Sequence, residues 1–415
     1  METKFSELIR LFRCAVQEEA CTTRIQSNIR DIMAEAGHQQ IGTLIFPAVR
    51  SLYEAGQTDL SPEEFACYEQ VYTQVIMKEV QRQYALFQTI REVEANGVPC
   101  CLLKGAALSM LYPVPEARIS GDADFYIGEA QEQAVCTLLR EKGFTVLERP
   151  ATSHHAMCRS AATGLIEFHL TLYDSLYEDV WFNHLTFDEP WQKLTTQDGY
   201  TYHVLGVTDQ AIFITLHLIK HFLSEGVGIR QVMDVLLYLR KYGEAMDVKR
   251  YCAVLKELRY EGFMQACLQI GTTYLGFTEE SLVQFEQGLG APKADAETVE
   301  AVLHDMACGG VFGQTAEARK NFYMHYTAER YQRFKEGNFF TYIGKWNLRR
   351  IFPSRAYMKT QYECLQKHPI LLPILYVKRI AERTASHGRK NAAAQPTNSA
   401  ELEQRMQLVH KLNMI

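Results

Sequence analysis

The chain is 415 residues long, 47% of them hydrophobic and 22% charged, with a formal net charge of −6. This composition excludes a disordered protein, and the length predicts two or three domains rather than a single core. The eleven cysteines form no CxxC pair and are odd in number, which argues against a paired-cysteine zinc site and against a disulfide framework.

Residues 1–95 are predicted to form an N-terminal helical region. Its clearest helix begins at Ser61, which can act as N-cap, followed by a proline at the first helical position and by Glu64, which can complete a capping box. Apolar residues at helical spacing continue from Phe65 to Ile90, and we interpret the aromatic ones as core. Gly97 is expected to end the helix.

Residues 96–204 are predicted to form a central core in which strands and helices alternate. A hairpin around Thr163 and Gly164 closes this pattern, which indicates an α+β fold with a mixed sheet and helical regions on both sides. The predicted strands cover 98–103, 123–127, 144–148, 155–159 and 165–170, and the predicted helix covers 129–142.

Residues 205–385 are predicted to form a C-terminal helical domain, with helices at 209–223 and 229–242 and several more between 247 and 382. The last part, 386–415, is predicted to be a polar, flexible linker followed by an amphipathic helix over 401–412.

The C-terminal segment is basic. From Lys345 to the end it contains 13 Lys and Arg residues against four Asp and Glu residues. Such a segment could hold an anionic partner such as nucleic acid, lipid headgroups or a sugar phosphate. The alternative is a solvated surface helix with a frayed end.

Three carboxylates carry the strongest indication of chemistry. Asp122 and Asp124 are separated by one residue on a predicted strand, so their side chains project to the same face. Glu167 lies between two apolar residues on a later strand and points away from the apolar face. If the two strands are neighbours, the three carboxylates converge, and a cluster of this kind is costly unless divalent cations neutralise it.

The residues around this cluster suit phosphate chemistry. Oxygen ligands favour Mg²⁺ or Mn²⁺, and two such ions can stabilise the attacking and leaving oxygens of an in-line displacement. Gly105 lets backbone approach a phosphate, and Lys104 and Arg118 supply positive charge. The aspartate pair, the Lys104-Gly105 loop and the strand glutamate each also fit a structural role when taken alone. Their order and spacing along the chain favour a role in phosphate chemistry.

The run LLKG, a later tyrosine, R-x-S-x-D-x-D and an E-x-H strand (Glu167, His169) resemble the bacterial uncharacterised nucleotidyltransferase family of the polymerase-β superfamily. The resemblance continues in LHLIKHFLSEGVGIRQVMDVLLYL at 216–239 and near the C-terminus at 349–362 and 369–379, so it covers nearly the whole chain. A more distant likeness is to the abortive-infection nucleotidyltransferase toxins.

The resemblance implies a metal-dependent enzyme that transfers a nucleoside monophosphate from an NTP, such as ATP, to a hydroxyl acceptor and releases pyrophosphate. It implies that Asp122, Asp124 and Glu167 are the catalytic and metal-binding residues. Ala106 departs from the family pattern, because it lacks the hydroxyl of the serine often found there. The implied nucleotide-binding residues are Lys104, Gly105, Arg118, Ser120, His217, His221, Arg230 and Asp234.

Several histidines have two interpretations. His217 and His221 lie four apart on one helical face and could line the cleft together with Arg230 and Asp234, or all four could form a buried polar network that ties two helices together. His169 could orient a carboxylate or contact substrate, or it could be structural. The pair His154-His155 is interpreted as a loop without a chemical role.

Two other functions stay open: a degenerate, non-catalytic nucleotide- or partner-binding module, and a toxin-like enzyme that modifies tRNA. The start of the chain lacks a secretory signal pattern, and no apolar stretch approaches the roughly 20 residues of a membrane span, so we expect a cytoplasmic protein. The acceptor could be a small molecule, a saccharide, a protein or RNA, because a fold and a metal site do not encode the substrate.

Overall fold

The computed structural model describes residues 3–149, 153–173, 185–224, 226–309 and 399–415, with short stretches and single positions between 322 and 378. Within these residues, a seven-stranded mixed sheet lies between helices from both ends of the chain, which confirms the predicted α+β class. The predicted linker up to residue 398 lies outside the described residues, as does most of the basic segment from Lys345.

The chain begins with four helices: α1 (Thr3–Val16), α2 (Ile29–His38), α3 (Gly42–Glu54) and α4 (Pro62–Ala95). Helix α4 starts at the predicted capping box, in which the Glu64 amide donates to the Ser61 hydroxyl and the Ser61 amide donates to the Glu64 carboxylate. This reciprocal bonding satisfies backbone donors that a helix start otherwise leaves free.

The interpretation of every aromatic residue on α4 as core is wrong. Tyr84 is 56% exposed, and Val71 and Val80 are also exposed. The fully buried residues of this 34-residue helix all lie in its C-terminal half, between Glu79 and Val93. The apolar spacing is therefore genuine, but the helix has more apolar surface than its neighbours among the described residues cover.

The sheet has the strand order β3-β4-β5-β2-β1-β7-β6. The pairs β2/β5 and β1/β7 are parallel, and the other neighbouring pairs are antiparallel. The strands are β1 (Cys101–Leu102), β2 (Asp122–Tyr126), β3 (Thr145–Val146), β4 (His155–Ser160), β5 (Gly164–His169), β6 (Gln192–Thr195) and β7 (Thr201–Val204). The first and third are shorter than predicted, and the β6–β7 hairpin was not predicted.

Alternation along the strands gives the sheet one apolar and one polar face. On the apolar face, Phe125 and Phe168 pack in a core with the C-terminal half of α4 and with α6 (Glu132–Glu141). The polar face carries the residues of β2 and β5 that alternate with this core, including Asp124. The four-residue helix α5 (Ala106–Ser109) lies between β1 and β2.

Helices α7 (Val207–Ser224) and α8 (Ile229–Tyr242) confirm the two helices predicted after the core. One hydrophobic cluster contains residues of α1–α3 and of the helices after the sheet, so the two helical regions share a core. The predicted domain boundaries at 95/96, 204/205 and 385/386 stay predictions. Further helices among the described residues are α9 (Val248–Glu257), α10 (Glu261–Tyr274), α11 (Glu279–Leu289), α12 (Ala296–Gly309), a single turn at Cys364–Lys367 and the predicted terminal helix, Ser399–Lys411.

In the part of the chain that the structure describes, no helix combines the length and apolarity needed to cross a bilayer.

Candidate active site

The acidic cluster is assembled by the parallel pairing of β2 and β5. Asp124 lies directly opposite Glu167 in this register, which meets the condition that the strand pattern left open. Asp122 and His169 share the same face, because each lies two residues from one of that pair. Asp124, Glu167 and His169 offer ligand atoms that all lie within 4.8 Å of one another, whereas Asp122 lies outside this group.

Asp124 is the most buried member, with 1% of its surface exposed. Its Oδ1 lies 3.0 Å from the Lys104 Nζ and 3.0 Å from the His169 Nε2. Its Oδ2 is buried and has no hydrogen-bond partner among the described residues. Burial disfavours the charged carboxylate, but the Lys104 charge and the His169 hydrogen bond outweigh it and hold the pKa of Asp124 below its usual value.

Lys104 connects this cluster to helix α7. Its Nζ lies 3.3 Å from the Nε2 of His217, whose ring is 4.4 Å from the ring of His221. Although burial disfavours the ammonium, the charges of Asp124 and Asp122 raise the pKa of Lys104. Burial, followed by the Lys104 charge, holds the pKa of His217 well below its usual value, so this imidazole is neutral.

The cluster has more negative charge than Lys104 neutralises. Burial raises the pKa of Glu167 to about 7, and the charges of Asp124 and Asp122 add to the effect. Burial and the Asp124 charge also raise the pKa of Asp122. Carboxylates that resist ionisation in this way would be stabilised by a bound cation.

Gly105 lies where the chain turns from β1 into α5. Its φ of 61° and ψ of −109° fall in a region that residues with a side chain avoid. A Cβ at this position would lie 3.4 Å from the Asp122 carbonyl oxygen and 3.4 Å from the Ser120 Oγ. Glycine therefore lets this loop lie directly against the start of β2.

Arg118 and Asp234 form a buried ion pair between the core and α8. The Arg118 Nε and Nη2 donate to the two carboxylate oxygens of Asp234 at 2.9 and 2.6 Å. The Tyr112 hydroxyl donates to the same carboxylate at 2.7 Å. Arg118 also lies 3.4 Å from the Gly105 carbonyl oxygen. This geometry occupies both side chains, and their predicted contact with nucleotide stays a prediction.

Arg230 makes a second link from α8. Its Nη1 donates to the Ile119 carbonyl oxygen at 2.7 Å, and its Nη2 donates to the Gln40 Oε1 at 3.2 Å. Arg230 and Asp234 thus tie α8 to the loop before β2 and to the loop between α2 and α3, rather than one helix to another.

The model of a family described as uncharacterised nucleotidyltransferase matches residues 26–276, which is more than half of the chain. The chain belongs to this nucleotidyltransferase family. The comparisons with curated proteins and with solved structures found no match. The matched range includes α2 to α4 and α7 to α10 as well as the sheet, so the family signature extends beyond the predicted core. The bacterial origin and the toxin likeness stay predictions.

Two residues of this nucleotidyltransferase that sequence reasoning did not place near the site lie beside it. His155 is the first residue of β4, where the predicted strand 155–159 also begins, and its Nε2 lies 3.8 Å from the Glu167 Oε2. Burial and His169 lower the pKa of His155 to about 4. Lys220 on α7 is close enough for its charge to act on Glu167 and His217. Strand alternation could have placed His155 near the site, and the one-turn spacing from His217 could have placed Lys220 there.

The residues of the cluster fit a divalent cation. The Asp124 carboxylate is ionised and buried, and its Oδ2 is unsatisfied within the described chain. A buried charged oxygen in this state is costly unless a ligand completes its bonds. Glu167 and His169 supply further ligand atoms at short range.

Proposed function

We propose that this nucleotidyltransferase uses a divalent cation to transfer a nucleoside monophosphate from an NTP to a hydroxyl group of an acceptor. The observation that carries the proposal is the β2/β5 register, which sets Asp124 opposite Glu167 with Asp122 on the same face. The Gly105 loop lies against the start of β2, where backbone can approach a phosphate.

In this reaction the acceptor oxygen forms a bond to the α-phosphorus, and the bond from that phosphorus to the oxygen bridging it to the β-phosphate breaks. Pyrophosphate leaves with the electron pair of the broken bond. Asp122, Asp124 and Glu167 would hold Mg²⁺ or Mn²⁺, with His169 beside them. When bound, such an ion neutralises charge on the phosphates and orients the reacting oxygens.

The proton of the acceptor hydroxyl goes to Glu167 in this proposal. Burial raises the pKa of Glu167 to about 7 in the absence of an ion, and a cation held by the same carboxylate would lower it, so this role rests on the position of Glu167 and not on its basicity. Lys104 supplies a positive charge for phosphate oxygens, next to the loop that Gly105 shapes. Most of the rate would come from positioning and from charge neutralisation.

The test uses each labelled NTP with Mg²⁺ or Mn²⁺ in cell extract, followed by mass identification of the labelled product. The wild type is compared with Asp122→Asn and Asp124→Asn. Label transfer by the wild type and its loss in both variants is the expected result. Wild-type transfer rates in Asp124→Asn would remove the acidic cluster from the mechanism. Nucleotide binding without transfer under every condition would favour the non-catalytic module instead.

A further inference from the structure

His169 lies where it could act as a ligand of the divalent cation in the proposed active site. It lies two residues after Glu167 on β5, so both side chains are on the face that carries Asp124. The imidazole is buried, with 6% of its surface exposed. Its Nε2 lies 3.0 Å from the Asp124 Oδ1, and the same carboxylate has the unpartnered Oδ2 described above.

The ligand atoms lie close enough together for a single ion to reach them. Two ligand atoms that are each about 2.1 Å from an ion, at right angles, lie about 3.0 Å apart, and opposite ones about 4.2 Å apart. The 3.0 Å between the Asp124 Oδ1 and the His169 Nε2 is the length of their hydrogen bond, and it is also short enough for both atoms to reach one ion. All three ligand atoms, including that of Glu167, lie within 4.8 Å of one another, which is close enough for one ion to be held by the group.

We propose that His169 is a nitrogen ligand of the bound cation, so that the site prefers a first-row transition-metal ion such as Mn²⁺ to Mg²⁺. This inference rests on the proposed function, because it specifies the cation of the same site. It changes the expected ligand set from carboxylates alone to carboxylates with one imidazole.

The preference follows from ligand chemistry. Mg²⁺ takes oxygen ligands and keeps several waters, whereas imidazole suits first-row transition metals. Mn²⁺ is the weakest binder of that series and also accepts oxygen ligands, so it is the transition-metal ion nearest to Mg²⁺ for this comparison. Asp124 and Glu167 supply the oxygen ligands that both kinds of ion accept. The imidazole nitrogen is the ligand atom for which transition-metal ions and Mg²⁺ differ in affinity.

The competing explanation is that His169 only orients Asp124 through its hydrogen bond. Loss of the imidazole would then weaken Mg²⁺ and Mn²⁺ binding by the same factor, because both ions depend on Asp124. A direct nitrogen ligand gives a different result, because its loss weakens Mn²⁺ much more than Mg²⁺.

The experiment measures metal binding to the full chain without nucleotide. Mn²⁺ is titrated by electron paramagnetic resonance, and Mg²⁺ is measured by competition, for the wild type and for His169→Asn. A residue that only orients a metal ligand typically costs about 10- to 100-fold in affinity when it is lost, so we expect loss of a direct ligand in His169→Asn to lower Mn²⁺ affinity by at least about 100-fold, and Mg²⁺ affinity by less than about threefold. Spin-echo modulation from a coordinated nitrogen should be present with wild-type protein and lost in His169→Asn.

His155→Asn is the matched control, since His155 pairs with His169 across β4 and β5 but lies outside the ligand group. It should change the affinities for both ions by one common, small factor and keep the nitrogen signal.

Equal losses of both ions in His169→Asn would overturn the inference, as would bound Mn²⁺ without nitrogen modulation, or no Mn²⁺ binding by the wild type. Transfer activity is scored separately. Label transfer without a nitrogen signal would remove only the ligand assignment, whereas a nitrogen signal without label transfer would remove only the proposed function.

Discussion

Two buried aspartates, Asp124 and Asp234, each pair with a basic residue from the segment that links β1 to β2, but their surroundings differ. Both oxygens of Asp234 accept hydrogen bonds from Arg118, and Tyr112 adds a third donor. Asp124 contacts Lys104 and His169 through one oxygen only. Its other oxygen has no hydrogen-bond partner among the described residues.

The difference separates a structural carboxylate from a binding one. A buried ion pair whose hydrogen-bonding groups are all satisfied holds two parts of a protein in one arrangement. A buried carboxylate with an unsatisfied oxygen carries a desolvation penalty, and a ligand that binds this oxygen can offset it. Asp234 is therefore expected to govern stability, and Asp124 is expected to govern binding and catalysis.

The largest effect should come from Asp124→Asn. We expect the transfer rate to fall by at least about 10³-fold, about 4 kcal/mol in the barrier, because an amide binds a divalent cation poorly. The free energy of unfolding should change by less than about 1 kcal/mol, since Asp122 and Glu167 still act on the Lys104 charge. Labelled-NTP transfer and urea unfolding measure the two quantities. A large loss of stability would contradict the assigned difference between the two aspartates.

Asp234→Ala should produce the opposite pattern, with stability as the primary loss. Removing this carboxylate leaves Arg118 buried without its partner, which costs about 3–5 kcal/mol of unfolding free energy. Urea unfolding measures the loss, with Asp124→Ala as the comparison. If both alanine variants lose the same amount, the satisfied and the unsatisfied carboxylate are equivalent and the comparison fails.

A smaller effect is expected for Gly105→Ala. The alanine must adopt the unfavourable backbone conformation of Gly105 and contact Ser120, at a cost of about 1–3 kcal/mol in unfolding free energy. Gly121→Ala is the control, because a Cβ there meets no atom within 4 Å; it should change stability by less than about 0.5 kcal/mol. Chemical denaturation of both variants decides this, and equal stabilities would show that the loop has no need of glycine.

The smallest effect is expected for Lys104, whose ammonium group contacts Asp124, the aspartate with the unpartnered oxygen. Lys104→Met should raise Mn²⁺ affinity about tenfold, or about 1.4 kcal/mol, because the ammonium no longer competes for the Asp124 oxygen. In the presence of NTP the sign should reverse, since the amine then binds phosphate. Calorimetric titration with Mn²⁺ alone and with Mn²⁺-NTP measures both.

Lys220→Met provides the control for this prediction, because it removes a charge that acts on Glu167 through space. It should raise Mn²⁺ affinity by only about twofold. If the two lysine variants behave alike, general electrostatics explains the change and the contact between Lys104 and Asp124 has no special role.

Local patterns in the sequence predicted the elements that build the site. The capping box at Ser61, the alternation at Asp122 and Asp124, and the apolar neighbours of Glu167 each depend on residues close in the chain, and the structure has them as predicted. Alternation left the adjacency of β2 and β5 as a condition, and the structure meets it.

Tertiary contacts were not predictable from those patterns. Arg118 was expected to contact nucleotide because its sequence neighbours carry the motif, and its pairing with Asp234 depends on where α8 packs. Tyr84 was assigned to the core because helical periodicity marks an apolar face but does not say how far a partner covers it. The edge hairpin β6–β7 is short and half polar, so its strand signal was weak.

The contact between Arg118 and Asp234 spans 116 positions of the chain. The ribosome synthesises the loop before β2 long before it synthesises α8. In the same way, β1 is synthesised long before β7, the strand with which it pairs in parallel. A nascent chain that ends before residue 234 therefore carries the acidic strands without the helix that holds their loop in place. The site is completed late in synthesis, so ribosome-bound fragments shorter than this should not bind cations as the finished protein does.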